Sequence, residues 1–156
     1  ILGTDGDVSP KGDFPGFVVV LDDNTVAIPD RWGNNRLDSY INILSNPKVA
    51  IMFLIPGISE VLRIRGTAEI SRDKKLLTKM TVNSQEPKTA LIISVNEIYL
   101  HCAKAIARSD IWNPDKLEKN YSTREMFAEH VGKSKKEFSD YYDNATDEIL
   151  TNEGRK

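Results

Sequence analysis

Three short polar segments hold most of the side chains in this sequence that could bind a ligand or react. The first is Ser9-Pro10-Lys11-Gly12-Asp13 followed by Pro15-Gly16, which sets a cation in a rigid turn between two apolar runs. An ordinary surface connection explains it too, although loops of this kind are where binding residues concentrate. The second segment runs Pro29-Asp30-Arg31-Trp32-Gly33-Asn34-Asn35-Arg36-Leu37-Asp38-Ser39 and leads straight into a helical pattern. Free N–H groups and the dipole at a helix start favour an anion. Arg36 can add a forked, charge-assisted contact, and Asn34, Asn35 and Ser39 can add neutral hydrogen bonds. Helix capping by Asn34 or Asn35, with Arg31 and Arg36 solvated, accounts for the same residues equally well. The third segment is His101-Cys102-Ala103-Lys104-Ala105-Ile106-Ala107-Arg108-Ser109-Asp110-Ile111-Trp112. Lys104 and Arg108 are four residues apart and share a face if the stretch is helical, and an indole follows. Cations beside an indole suit a planar, electron-rich ligand. A solvated helix face with a core tryptophan is the plainer reading.

Other chemistries lack their residues. His101 and Cys102 are adjacent and His130 is remote, a spacing unlike any zinc pattern. No nucleophile elbow, phosphate-cradling P-loop or GxGxxG run is present. Asn144-Ala145-Thr146 matches a glycosylation sequon, but nothing points to secretion and chance accounts for it. The formal net charge is −2, and basic and aromatic residues do not interleave along any strand pattern, so nucleic acid is not an expected partner. No apolar run approaches the ~20 residues of a membrane span, and no signal peptide is visible. Cys102 is the single cysteine, which excludes an intrachain disulfide and makes a reducing, cytoplasmic location the default expectation.

The elements that must position these segments read as strands first and helices last. At 156 residues with 40% apolar and 28% charged side chains, one globular domain over 1–156 is expected. Phe17 to Leu21, a turn at Asp22-Asp23-Asn24 and Thr25 to Ile28 predict a hairpin. Leu37, Tyr40, Ile41 and Leu44 recur at helical spacing, and Asn46-Pro47 stops that helix. Val49 to Ile55 is an apolar strand, and Val61 to Ile70 alternates as a half-buried antiparallel strand does. Ser71 or Asp73 can cap a short helix through Leu76, Leu77 and Met80. Ala90 to Val95, extended by Ile98 to Leu100, gives the last strand. Ser122…Glu125 and Ser134…Glu137 match the capping-box pattern, with Gly132 between them as a helix stop, so 115–156 reads as a helical C-terminal extension. Strands do not alternate with long helices, so the expected class is mainly β, a small antiparallel barrel with peripheral helices. The opening Ile1-Leu2-Gly3-Thr4 reads as the inside of a strand, so a further N-terminal segment is expected before it.

The segments recur in a recognisable order. Ser9-Pro10-Lys11-Gly12-Asp13 with Pro15-Gly16-Phe17-Val18, then Ile28-Pro29-Asp30-Arg31 with Gly33-Asn34-Asn35-Arg36-Leu37-Asp38-Ser39, then Asn46-Pro47, Leu54-Ile55-Pro56-Gly57, and His101-Cys102 with Lys104-Ala105, Arg108-Ser109 and Trp112 resemble the flavin-nucleotide-binding branch of the pyridoxamine 5′-phosphate oxidase-related proteins. The resemblance spans about Ile1 to Pro114. It implies a six-stranded FMN-binding split β-barrel and a homodimer with two FMN molecules across the subunit interface. It also implies that Asp30, Arg31, Asn34, Asn35, Arg36 and Ser39 form the phosphate site, with Arg36 foremost. Ser9, Pro10 and Lys11 would line the isoalloxazine ring, where a cation stabilises the anionic reduced flavin. Lys104, Arg108 and Trp112 would come from the second subunit. The chain departs from the true oxidase in lacking its arginine-rich C-terminal motif, so the resemblance carries the cofactor and not the pyridoxamine substrate.

Two functions of different kinds follow. One is an FMN-dependent oxidoreductase that passes electrons between a small-molecule donor and an unidentified acceptor. The other is a flavin-binding module without turnover, for storage, sensing or delivery. The same barrel with a deazaflavin or haem is a third reading, with His101 as the axial-ligand candidate for haem.

Overall fold

The computed structural model describes residues 6–33, 36–116 and 123–152. They fall into two compact units, Ile1–Thr81 with Glu86–Trp112, and Val82–Gln85 with Asn113–Lys156.

The first unit is built on β1 (Val19–Asp22), β2 (Thr25–Pro29), β3 (Lys48–Phe53), β4 (Val61–Ser71) and β5 (Ala90–His101). They form one sheet in the order β1-β2-β5-β4-β3, and every pairing is antiparallel. The resemblance implies six strands; the described residues supply these five. Helices α1 (Asp38–Ser45), α2 (Lys74–Lys79) and α3 (Lys104–Ser109) are inserted between or after the strands.

The alternation in β2 decides which face each helix covers. Side chains opposite one another across a ladder share a face. Val26 and Ile28 pair with Ile93 and Leu91, and join Ala68 and Ile43 of α1 in one core cluster. Ala27, facing the other way, clusters with Ala90 and with Leu76, Leu77 and Met80 around α2. The sheet is therefore buried on both faces where β2 meets β5. Burying each valine, leucine, isoleucine or methionine side chain in these clusters contributes about 1.5–3 kcal/mol, and each alanine less.

Turn chemistry falls where the sequence predicts it. Pro15-Gly16 and Pro56-Gly57 each form a tight turn closed by Phe17 N–H to the Phe14 carbonyl and by Ile58 N–H to the Ile55 carbonyl. Gly16 and Gly57 have φ of 87° and 81°, the left-handed conformation that glycine adopts without steric cost. Asp73 rather than Ser71 caps α2, accepting from the Leu76 N–H at 2.8 Å.

One expectation gains a feature and one needs correction. β5 is one strand, as expected, although its apolar pattern breaks at Asn96-Glu97. Gly66 pairs with Val95 and Arg65 with Glu97, so Asn96 is the extra residue of a β-bulge and resets the alternation. The buried stripe of α1 is not Leu37-Tyr40-Ile41-Leu44. Leu37 precedes the helix as its N-cap and is 57% exposed, Leu44 is 77% exposed, and Ile43 is the buried residue. In a helix of eight residues, packing through Tyr40 and Ile43 at i and i+3 outweighs the longer periodicity.

The second unit contains α4 (Thr123–His130) and α5 (Lys135–Asn152). Gly132, at φ 67°, ends α4 in a Schellman arrangement, with Lys133 N–H on the Ala128 carbonyl and Gly132 N–H on that of Glu129. Ser134 and Glu137 then exchange bonds as a capping box, which holds the Glu137 carboxyl below its ordinary pKa. Ser122, of the other predicted box, lies outside the described residues. Phe127 stacks on Phe138 at 6.1 Å between the two helices.

Candidate functional site

The site is built where β2 ends and α1 begins. Pro29 closes β2 inside the sheet, and the Asp30 N–H donates to the Thr89 carbonyl at 2.9 Å, so the chain leaves the sheet at a fixed point. Eight residues later α1 starts. Its N-cap, Leu37, makes no side-chain cap bond. Among the described residues the first turn therefore has no N-cap side-chain acceptor, the condition under which an anion is best received.

Arg31 and Arg36 differ sharply. The Arg31 side chain is 16% exposed and the Asp13 carboxylate opposite it is fully enclosed. The guanidinium bonds Asp13 through Nε and the Met80 carbonyl through Nη2 at 2.7 Å. It thereby ties the loop before β1, the exit of β2 and the end of α2 to one another. Arg36 is 73% exposed and pairs through Nε with Asp38 at 2.7 Å. Asn34 and Asn35 lie outside the described residues.

The loop that carries Ser9, Pro10 and Lys11 lies across this helix start. Ser9, Pro10 and Lys11 are exposed. Three side chains anchor the loop. Ser39 Oγ donates to Asp7 Oδ2 at 2.7 Å. Lys11 Nζ sits 5.8 Å from the centre of the Tyr40 ring. Asp13 holds Arg31. The first two predicted segments are thus brought together within one chain.

Tyr40 and Thr89 were not legible as site residues. Thr89 Oγ1 lies 3.5 Å from both Asp30 Oδ2 and the Tyr40 hydroxyl. Burial, with the nearby Asp30 carboxylate adding to it, pushes the Tyr40 hydroxyl up to about 12. A phenol normally titrates near 10, so this group is a neutral hydrogen-bond donor throughout the physiological range. Its contribution to stability is complete below the ordinary phenol value and is lost as pH rises through the folded one. The only sign in the sequence is that a core-stripe position of α1 carries a tyrosine rather than a plain hydrocarbon.

The third segment is positioned by the far end of β5. Lys104 and Arg108 occupy the six-residue α3, and both are exposed. Asp110 stops that helix with φ 51° and its N–H on the Ile106 carbonyl. The Trp112 indole N–H donates to the Ile58 carbonyl at 2.8 Å, which anchors the ring to the turn between β3 and β4. Pro29 pairs with Ala90 at the start of β5, whereas Lys104 follows His101 at its end. A strand of that length separates the two regions by on the order of 30 Å. Within one chain, the third segment is held away from the first two.

Residues 1–102 match the family model described as pyridoxamine 5′-phosphate oxidase. The chain belongs to the pyridoxamine 5′-phosphate oxidase family. Its antiparallel sheet with C-terminal helices is the split-barrel arrangement of that family. Among solved structures, tagged HupZ of Group A Streptococcus is 25% identical, over 54% of this chain and 68% of that one, with a TM-score of 0.44. A histidine-to-alanine variant of HupZ matches at the same identity and TM-score over 55% and 73%. A putative pyridoxamine 5′-phosphate oxidase from Lactobacillus delbrueckii is 21% identical over 54% and 68%, with a TM-score of 0.39. No curated protein matches the chain. No described helix is long and apolar enough to cross a membrane. Among the described residues no cluster of three or more His, Cys, Asp or Glu side chains could hold a metal ion.

Proposed function

We propose that this family member binds FMN and is an FMN-dependent oxidoreductase acting between a small-molecule donor and acceptor. The observation that carries the reading is the convergence of the Asp7–Asp13 loop on the start of α1. It sets one guanidinium, one ammonium, the Ser39 hydroxyl and an uncapped helix turn around one small region. That donor set fits a phosphate monoester. Arg36 and Ser39 would hold the phosphate, with Asn34 and Asn35 as helpers. Ser9, Pro10 and Lys11 would face the ring. The flavin itself supplies the electron-accepting chemistry, and the residues around it need only bind, orient and set its electrostatics. Within this site, Asp30 and Arg31 act as the frame. Asp30 fixes where β2 exits, and Arg31 is committed to Asp13 and Met80.

Lys104, Arg108 and Trp112 enter the same reading through a second copy of the chain. The length of β5 keeps them from the Arg36 region of their own chain. Ile98 and Leu100, just before them on β5, are 59% and 69% exposed and give an apolar surface that a partner would cover. Light scattering should report a dimer; an FMN-loaded monomer would remove the two-subunit site.

Arg36→Ala tests the phosphate assignment. A hydrogen bond from a charged group contributes roughly 1.5–3 kcal/mol, so FMN affinity should fall by about ten- to a hundredfold. Riboflavin affinity should hardly change. Folding should hardly change either, because an exposed pair such as Arg36–Asp38 contributes about 0–1 kcal/mol. Arg36→Lys should recover part of the loss, since an ammonium cannot reproduce the planar fork. An Arg36→Ala protein that binds FMN like the parent would return α1 to a purely structural role.

A further inference from the structure

The two groups assigned to the phosphate are both engaged by carboxylates of the chain itself. Arg36 holds Asp38, its neighbour at the helix start. The Ser39 hydroxyl donates to Asp7, which lies 32 positions earlier in the sequence. A carboxylate at an uncapped helix start satisfies the same dipole and the same donors that an oxyanion ligand would. Asp38 belongs to the helix and can stay beside an incoming anion by rotating. Asp7 belongs to the loop that also carries Ser9, Pro10 and Lys11, so its position is coupled to theirs.

We infer that Asp7 is a built-in competitor for the phosphate. Its carboxylate accepts from the Ser39 hydroxyl, and an entering phosphate must displace it. This deepens the FMN reading and rests on it. Displacement has two consequences. Only a ligand with a stronger anionic group than a carboxylate takes the place, which favours a phosphate dianion over a neutral or weakly charged headgroup. The loop is also released at its Asp7 end while Asp13 remains fastened to Arg31, so the segment bearing Lys11 is freed to adjust to the ring. The Asp13–Arg31 pair, enclosed and doubly anchored, is the fixed end of this strap.

The test is an equilibrium titration of the parent, Asp7→Ala, Ser39→Ala and the double variant with FMN, riboflavin and inorganic phosphate, each protein checked by a melting curve. Asp7→Ala should bind FMN and inorganic phosphate more tightly, by roughly three- to tenfold, the value of one hydrogen bond released plus one like charge removed. Riboflavin should be unaffected. In the Ser39→Ala background most of the Asp7 effect should vanish, because the two residues act through one bond. If the parent binds FMN but Asp7→Ala binds it equally or more weakly, the competitor role is wrong and the FMN reading stands. If Asp7→Ala tightens FMN and riboflavin alike, Asp7 does not act at the phosphate and the inference falls. If none of the proteins binds FMN, the inference falls together with the reading beneath it.

Discussion

Replacing Arg31 with alanine should destabilise the first unit by about 3–5 kcal/mol, the range for breaking an enclosed ion pair by removing one partner. The argument rests on where the charges sit. Asp13 is fully enclosed and Arg31 nearly so, and the same guanidinium also donates to the Met80 carbonyl. Alanine leaves a carboxylate out of water without its counter-charge and unties the end of α2 from the exit of β2. Arg31→Lys should recover only part, because one ammonium cannot span both acceptors in the planar geometry that the fork provides. Asp13→Leu combined with Arg31→Met should be more stable than Arg31→Ala alone, since removing both charges eliminates the desolvation cost. Urea denaturation of the variants gives the comparison. A shift within about 0.5 kcal/mol of the parent is the behaviour of an unengaged surface residue and would show that the pair does not hold the loop. Any loss of flavin binding in Arg31→Ala must be read against its melting curve, which distinguishes it from the exposed Arg36.

Gly66→Ala should be comparably damaging, at about 3 kcal/mol or more, beyond the usual range for overpacking because the clash is with backbone. A Cβ at this position would lie 2.2 Å from the Ser94 carbonyl oxygen and 3.2 Å from Ile93 Cγ2. Ser94 sits in β5 beside the Asn96 bulge, where the strand is pressed against β4. No rotamer relieves the contact; the central ladder of the sheet has to open. Gly12→Ala is the control, since a Cβ there meets nothing within 4 Å. It should stay within about 0.5 kcal/mol of the parent. If Gly66→Ala melts like Gly12→Ala, the bulge is not the tight crossing described above.

How much of this was legible in the sequence depended on whether a local rule decided it. The alternation from Val61 to Ile70, the Pro-Gly turns, a cap at Ser71 or Asp73 and the Gly132 stop all follow from neighbours within a few residues, and each is found, the cap at Asp73. The last strand is legible from Ala90 to Val95 with its extension through Ile98 to Leu100, but the extra residue Asn96 is not, because a bulge shows in sequence only as broken periodicity. The α1 stripe was misread because Leu37 falls just outside the helix. Within the site the limit is sharper. Arg31 and Arg36 are the same residue type five positions apart, yet one is enclosed and the other exposed. What separates them is Asp13, 18 residues away in sequence, and no periodicity reports that. Asp7 and Thr89 reach the site over similar or longer separations. Short polar residues in loops carry no pattern of their own, so only the folded chain brings them together.

The central claim is that the start of α1 receives a phosphate, and the most direct measurement is the ratio of FMN to riboflavin affinity for the parent protein. A fluorescence titration of flavin-free protein with each ligand, at one pH and ionic strength, gives both constants. The ligands differ only in the phosphate, so contacts to the ring cancel. Two charge-assisted contacts at roughly 1.5 kcal/mol or more each predict that FMN binds at least about a hundredfold more tightly. Equal affinity for the two flavins would contradict the phosphate site, and with it the roles given to Arg36, Ser39 and Asp7.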